Sequence, residues 1–168
     1  MSLVGESFEV AVEVAASPEA TWSVLTDWGR QSEWAMLTTT RGIGPTGGRA
    51  VGEQVHAFTG VGRLGFLDTM VVETWDPPHR CRVRKTGRVV RGAAEFVVEP
   101  VVSGGSRVSY RAEVAVPAGR LGELAWPVAR AALAMGFRRS LVSLGAIVAR
   151  EHPLDSETPW PEIGRAHV

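Results

Sequence analysis

Two adjacent segments decide the fold: FEVAVEV at residues 8–14 and SPEATWSVLTDW at residues 17–28. The first alternates apolar and polar side chains with a period of two, which predicts a half-buried strand. The second begins with Ser17 and Pro18, a capping residue followed by one whose backbone angle suits the first helical turn. Trp22, Leu25 and Trp28 then recur at every third position. An amphipathic helix therefore follows the strand directly.

The rest of the chain predicts a sheet that ends in one long helix. A second short helix is expected over residues 30–36, with weak strands near 37–43 and 52–59 and a firmer one near 66–76. Strand-like segments at 80–85, 94–99 and 107–116 are separated by hairpin-length gaps, which favours an antiparallel meander. Residues from about 122 to 151 are rich in helix-forming residues, and Pro127 either begins or kinks this helix. Its apolar stripe comprises Leu133, Phe137, Leu141, Leu144 and Val148.

Size and composition indicate one domain at residues 1–152 and a proline-containing tail at residues 153–168. The 168 residues carry a formal net charge of zero, so no global charge favours nucleic acid. The lone cysteine, Cys81, cannot form an internal disulfide, which fits a cytoplasmic location. We expect no membrane span and no secretory signal, because no apolar run has the required length or position. A monomer and a homodimer both remain possible.

The order of these elements resembles the START-like, Bet v 1-like superfamily, and in particular its bacterial polyketide cyclase/dehydrase and lipid transport branch. The resemblance covers roughly residues 7–151. It rests on Ser17-Pro18 with Trp22 and Leu25, Asp27-Trp28 through Trp34, Val51-Gly52, Pro77-Pro78, and Gly104-Gly105-Ser106-Arg107-Val108. It implies an α+β helix-grip fold, in which a curved antiparallel sheet of six to seven strands surrounds the C-terminal helix. Two short helices follow the first strand.

The resemblance also implies a cavity between the sheet and the long helix. Strand alternation and helix periodicity then select the apolar residues expected to line it. They are Trp34, Phe58, Met70, Val72, Phe96, Val98, Tyr110, Ala112, Val114, Met135, Phe137 and Leu141. Apolar walls with a few polar groups are typical of small-molecule sites, although the same residues would also form a solid core.

Two residues are candidates for proton transfer in such a cavity. Tyr110, the only tyrosine, falls on the apolar face of its strand, where its hydroxyl could meet a ligand oxygen or a core hydrogen-bond partner. His56 faces the cavity if Gln54 and Phe58 do, and solvent if Val55 and Ala57 point inward. The sequence does not decide between these two parities.

Three further sequence patterns do not by themselves indicate a catalytic, metal or nucleotide site. Arg80, Arg82 and Arg84 share one strand face, which is either solvated or a surface for an acidic partner. The four histidines are scattered, so neither a metal nor a cofactor is expected. The GxGxxG string at residues 42–47 is not followed by a helix, which argues against dinucleotide binding.

The leading hypothesis is a protein that binds a hydrophobic or aromatic small molecule, lipid-like or polyketide-like, between the sheet and the helix. An enzymatic alternative, a polyketide cyclase/aromatase or dehydratase-like activity, uses the same cavity with Tyr110 or His56 as the proton-transfer group. A third alternative is a protein-interaction module that uses the arginine-bearing strand face.

Overall fold

The structure is a computed structural model that describes residues 3–87, 90–117 and 120–154. Seven strands, two α-helices and one 3-10 helix follow one another along this part of the chain. In order they are β1 (Leu3–Val14), α1 (Pro18–Leu25), the 3-10 helix (Trp28–Glu33), β2 (Thr38–Ile43), β3 (Gln54–Val61), β4 (Leu64–Asp76), β5 (Arg80–Lys85), β6 (Arg91–Pro100), β7 (Ser106–Pro117) and α2 (Arg120–Glu151).

The strands form one curved antiparallel sheet in the order β1-β7-β6-β5-β4-β3-β2. The first strand pairs with the last, and every other pair is a sequential hairpin or meander neighbour. The predicted α+β helix-grip fold is confirmed. The single-domain boundary stays a prediction, because most of the predicted tail, residues 155–168, lies outside the described residues.

The start of α1 follows the local chemistry that its sequence predicts. The Ser17 side chain accepts a hydrogen bond from the Ala20 N–H at 3.2 Å, and Pro18 occupies the first turn. At the other end, Thr26 caps the helix, and its hydroxyl donates to the Trp22 carbonyl at 2.8 Å. The second predicted helix is a single 3-10 segment that begins earlier than expected, at Trp28.

A β-bulge in β4 changes which side chains face the core. Pairing with β5 shifts between Val72 and Thr74, so Glu73 is the extra residue and the alternation restarts after it. Val72 and Trp75 consequently both point to the inner face. The Trp75 ring lies 5.2 Å from the ring of Trp22, centroid to centroid, and this contact locks α1 onto the sheet.

The glycine-rich segment at residues 42–48 is a turn and not a phosphate loop. The Glu53 carboxylate accepts backbone hydrogen bonds from Thr46, Gly48 and Arg49. A side chain at Gly42 would collide with the carbonyl oxygen of Gly47, which is 1.7 Å from the Cβ position. The turn therefore folds against Glu53 within the protein itself.

The helix α2 continues through Pro127 and lies along one side of the sheet. Among the described residues its neighbours are β1, β7 and α1. By length and composition alone, its Pro127–Glu151 section could cross a membrane, and 28% of the most apolar window is buried. The expected absence of a membrane span rests on uninterrupted apolar runs, which Arg130, Arg138 and Arg139 break in this section, and it stays a prediction. The inner side of α2 packs on the sheet.

Candidate functional site

Four aromatic rings meet where the concave side of the sheet faces the middle of α2. Tyr110 lies at the centre: its ring stacks on Phe137 with 4.2 Å between centroids, and Phe96 is 4.8 Å away. Phe8 adds a fourth ring, 5.6 Å from Phe137 and 6.0 Å from Tyr110. The pairing of Tyr110 with both Val10 and Phe96 sets this geometry, because β7 lies between β1 and β6.

The space between the sheet and the helix is sealed on one side of this cluster. Leu141, Leu144 and Val148 are fully buried where α2 packs against the sheet and α1. On the other side the inner face becomes more accessible, since Met70 and Val114 are only partly buried. The half of the concave face that lies toward the beginning of α2 is therefore the candidate site.

A buried ion pair lies in this accessible half. The Lys85 ammonium donates to the Asp68 carboxylate, with 11% and 7% of the two side chains exposed. The Sδ atom of Met70 is 4.0 Å from the Lys85 nitrogen. The other Asp68 oxygen, Oδ1, is buried without a hydrogen-bond partner in the described part of the chain. Charge inside an apolar cleft is retained only when it is paired, and this pair places strong polarity beside the aromatic cluster.

The sequence analysis missed this pair, although its signal was present. Lys85 continues the alternation of Cys81 and Val83, both of which are buried, and Asp68 shares the inward parity of Met70. Two charged residues at apolar positions of neighbouring strands indicate a buried ion pair once the register is known. The pairing register of β4 with β5, which brings the two residues together, could not be read from the sequence.

The environment of Tyr110 keeps its phenol protonated. Burial raises the pKa of the phenol well above its ordinary value, and the negative charge of Asp68 raises it further. At neutral pH the phenol is therefore uncharged, so it can donate a hydrogen bond and does not serve as a phenolate base. This matters for any chemistry at the site, because a donor stabilises negative charge that develops on a ligand oxygen.

Most of the predicted lining residues do lie between the sheet and the helix. The accessible half holds Met70, Phe96, Val114 and Phe137, with Tyr110 buried at its floor. Val98 and Leu141 are fully buried in the packed part, whereas Val72 and Ala112 are fully buried one pairing row nearer to the start of α2 than Tyr110, and all four act as core residues. Trp34 is buried beside the 3-10 helix, and its indole N–H has no partner within the described ranges.

Three predicted site residues lie elsewhere. Val55 and Ala57 point inward, so His56 and Phe58 are on the outer face of β3. There the His56 ring hydrogen-bonds to Gln54 at 3.0 Å, Nε2 to Oε1. Met135 is 62% exposed on the outside of α2, because it lies about 200° around the helix from Phe137, whose ring packs on the sheet. Of the two proton-transfer candidates, only Tyr110 faces the site.

The strand face that carries Arg80, Arg82 and Arg84 lies on the outer side of the sheet, where carboxylates of neighbouring strands pair with the arginines. Glu73 in the bulge pairs with Arg84 at 2.8 Å and with Arg82 at 3.7 Å, nitrogen to oxygen. On the other flank Arg80 pairs with Glu95 at 2.6 Å. These arginines are thus already paired with carboxylates of the protein itself. This weakens the alternative in which the face binds an acidic partner protein.

The described residues offer little to a metal or a reactive thiol. No cluster of three or more His, Cys, Asp or Glu side chains occurs among them. Cys81 is buried on the inner face, and burial raises its pKa to about 12, with a smaller contribution from Glu95. The thiol therefore stays protonated, and the neighbouring arginines do not activate it.

Comparison with known proteins agrees with this architecture. The profile of the family described as polyketide cyclase/dehydrase and lipid transport matches residues 6–149. Among curated protein sequences, none matches this chain significantly.

Solved structures similar to this chain share its fold at low sequence identity. One is protein TTHA0849 from Thermus thermophilus, with a TM-score of 0.72 and 14% identity over 87% of this chain and 99% of that one. A second is the ZhuI aromatase/cyclase from Streptomyces sp. R1128, with a TM-score of 0.70 and 16% identity over 88% and 96%. A third is a norcoclaurine synthase mutant from Thalictrum flavum, with a TM-score of 0.63 and 16% identity over 90% and 98%. Identities this low support the fold alone.

Proposed function

Since the chain belongs to the polyketide cyclase/dehydrase and lipid transport family of the Bet v 1-like superfamily, we propose that it binds a hydrophobic or aromatic small molecule between the sheet and α2. The observation that supports this proposal is the aromatic cluster of Phe96, Tyr110 and Phe137, in which Phe96 and Phe137 are only partly buried. Ring faces and edges in this arrangement suit a planar ligand, which stacks at offset distances like those between the rings themselves.

The ion pair and the phenol supply the polar part of the site. Tyr110 can donate one hydrogen bond to a ligand oxygen, and the Lys85 ammonium retains donor capacity beyond its bond to Asp68. A ligand with carbonyl or phenolic oxygens on an apolar skeleton fits this combination best. Lipid-like and polyketide-like molecules both satisfy this description.

A bulkier side chain on the concave face tests the binding proposal. We expect Met70→Trp to occupy the accessible half and to weaken binding of N-phenylnaphthylamine, an uncharged hydrophobic fluorophore, by at least about tenfold. Val102→Trp is the matched control, since this side chain is fully exposed at the β6–β7 turn. Circular dichroism confirms that both variants fold. Equal affinity in the two variants would argue against a site on the concave face.

Native ligands can be sought in parallel by mass spectrometry of the purified protein. A co-purified molecule that is present with the wild type and lost with Met70→Trp identifies the ligand class. Failure of lipid extracts, aromatic probes and polyketide mimics alike to bind contradicts the proposal.

An enzymatic use of the same site is the second candidate, supported by the position of Tyr110 beside charged groups. A protonated phenol that donates to a carbonyl oxygen stabilises the enolate formed during cyclisation or dehydration. Tyr110→Phe then preserves binding and abolishes turnover of a poly-carbonyl substrate. His56→Ala serves as the control, because His56 lies on the outer face and its loss should leave turnover unchanged.

A further inference from the structure

Large apolar side chains are exposed mainly at one end of the molecule. Among the described residues, all such side chains except Ile43, Val51 and Val102 belong to the β3–β4 hairpin, the Met36-Leu37 turn or α2. Leu64 at the hairpin tip is 83% exposed. Leu37 accepts a backbone hydrogen bond from Gly60, which joins the turn to the hairpin. The hairpin and the turn therefore form one continuous apolar edge.

The same surface continues onto the outside of α2. The Met36 N–H donates to the Ser140 hydroxyl at 3.1 Å, so the turn is attached to the helix. Between them lies a groove of about 710 Å³, whose apolar side chains include Trp34, Met36, Leu37, Met135 and Val142. We name Met36, Leu37, Val61, Leu64, Met135 and Val142 the apolar rim. The apolar rim lies at the end of the sheet where β7 ends and β4 begins. The helix α2 begins at the same end, because it follows β7 directly.

The charges around the apolar rim are mostly positive. Residues 127–149 of α2 contain Arg130, Arg138 and Arg139 and no acidic residue, although the whole chain is neutral. Arg63 lies at the hairpin tip. Glu33, which lines the groove, is paired with Arg30, and Asp68 is paired with Lys85. Arg130, Arg138 and Arg139 have no ion-pair partner within the described part of the chain.

We propose that the apolar rim docks this protein on an anionic phospholipid bilayer. A helix that is apolar on faces it does not bury needs a further apolar surface, and exposed side chains around basic groups match the interfacial region of a membrane. Anionic headgroups complement the arginines, each of which adds to the attraction. Docking leaves the inner side of α2 on the sheet, so the fold persists. The proposal is independent of whether a ligand occupies the concave face.

Flotation of the full chain with vesicles tests the proposal. We expect binding to phosphatidylcholine vesicles that contain about one-third phosphatidylglycerol, weaker binding to pure phosphatidylcholine, and a decline with salt. Leu64→Ser with Met135→Ser, and separately Arg138→Gln with Arg139→Gln, should each reduce the bound fraction at least about tenfold. Val51→Ser with Val102→Ser is the apolar control, and Arg107→Gln is the charge control. Both should bind as the wild type does.

Three results overturn the proposal. They are absence of vesicle binding, equal loss in the control variants, and concentration-dependent dimerisation that disappears with Leu64→Ser and Met135→Ser. The last result assigns the apolar rim to a second copy of the chain. N-phenylnaphthylamine binding by the Leu64→Ser variant separates this test from that of the proposed function, since the fluorophore should bind unchanged.

Discussion

The rings of Tyr110 and Phe137 are stacked with their centroids 4.2 Å apart and their planes 16° from parallel. One ring belongs to the sheet and the other to α2, so this pair connects the two layers that define the site. Toward the end of α2 the two layers pack together at Leu141, Leu144 and Val148, and toward its beginning the sheet residues Met70 and Val114 are only partly buried. The stack therefore forms the floor of the candidate site.

Removing one ring of this stack should destabilise the protein measurably. We expect Phe137→Ala to lower the free energy of unfolding by about 2–3 kcal/mol, less than is usual for a truncated core aromatic because Phe137 is only partly buried. Val142→Ala on the exposed side of the same helix should change it by less than about 0.5 kcal/mol. Urea denaturation of both variants makes the comparison. Equal effects would show that α2 does not pack on Tyr110.

The buried ion pair of Asp68 and Lys85 should be strongly coupled. Lys85→Met leaves the Asp68 charge buried without a partner and should cost about 3 kcal/mol of stability. Adding Asp68→Asn should recover part of that loss, which gives a favourable coupling energy in a double-mutant cycle.

The exposed pair of Arg84 and Glu73 provides the matched control. Its side chains are 55% and 37% exposed, so Arg84→Met should cost less than about 1 kcal/mol. If Lys85→Met is as mild as Arg84→Met, or if its effect and that of Asp68→Asn simply add, the Asp68–Lys85 pair is not buried as described.

The parts of this fold that could be predicted depend on local chemistry. Ser17-Pro18 begins α1 where its sequence indicates, and the alternation in β7 puts Tyr110 on the inner face. The predictions that were wrong in β3 concern residues whose orientation depends on partners distant in sequence. The inward orientation of Val55 is set by its pairing with Met70 in a glycine-rich strand without a clear pattern of its own. The exposure of Met135 follows from helical geometry instead, because it lies two positions, about 200° around the helix, from Phe137, which packs on the sheet.

The turn around Glu53 should respond to acid. Hydrogen bonds from Thr46, Gly48 and Arg49 hold the pKa of the Glu53 carboxyl below its ordinary value. A depressed folded-state pKa adds stability that is fully present above the unfolded pKa of about 4.3 and is lost as pH falls through the lower value. We expect Glu53→Gln to flatten the decline in Tm between about pH 5 and pH 3. Glu9→Gln, an exposed strand position, should retain the wild-type slope.

The single tyrosine allows a direct alkaline test of the site. Burial and the charge of Asp68 raise the folded-state pKa of Tyr110, so the native protein should show no tyrosinate absorbance at about pH 10–11, where an exposed tyrosine ionises. Because the unfolded chain releases this proton near about pH 10, stability should fall above that pH. Tyr110→Phe should remove part of the fall.

The raised pKa of Cys81 gives a slope of the same sign, so the comparison is best made in a Cys81→Ala background. Tyrosinate absorbance should then appear together with the loss of the far-ultraviolet dichroism signal, as one cooperative transition. A phenol that titrates near about pH 10 while the dichroism stays native would mean that water reaches Tyr110 freely. The aromatic cluster would then not be the closed floor on which a ligand could stack.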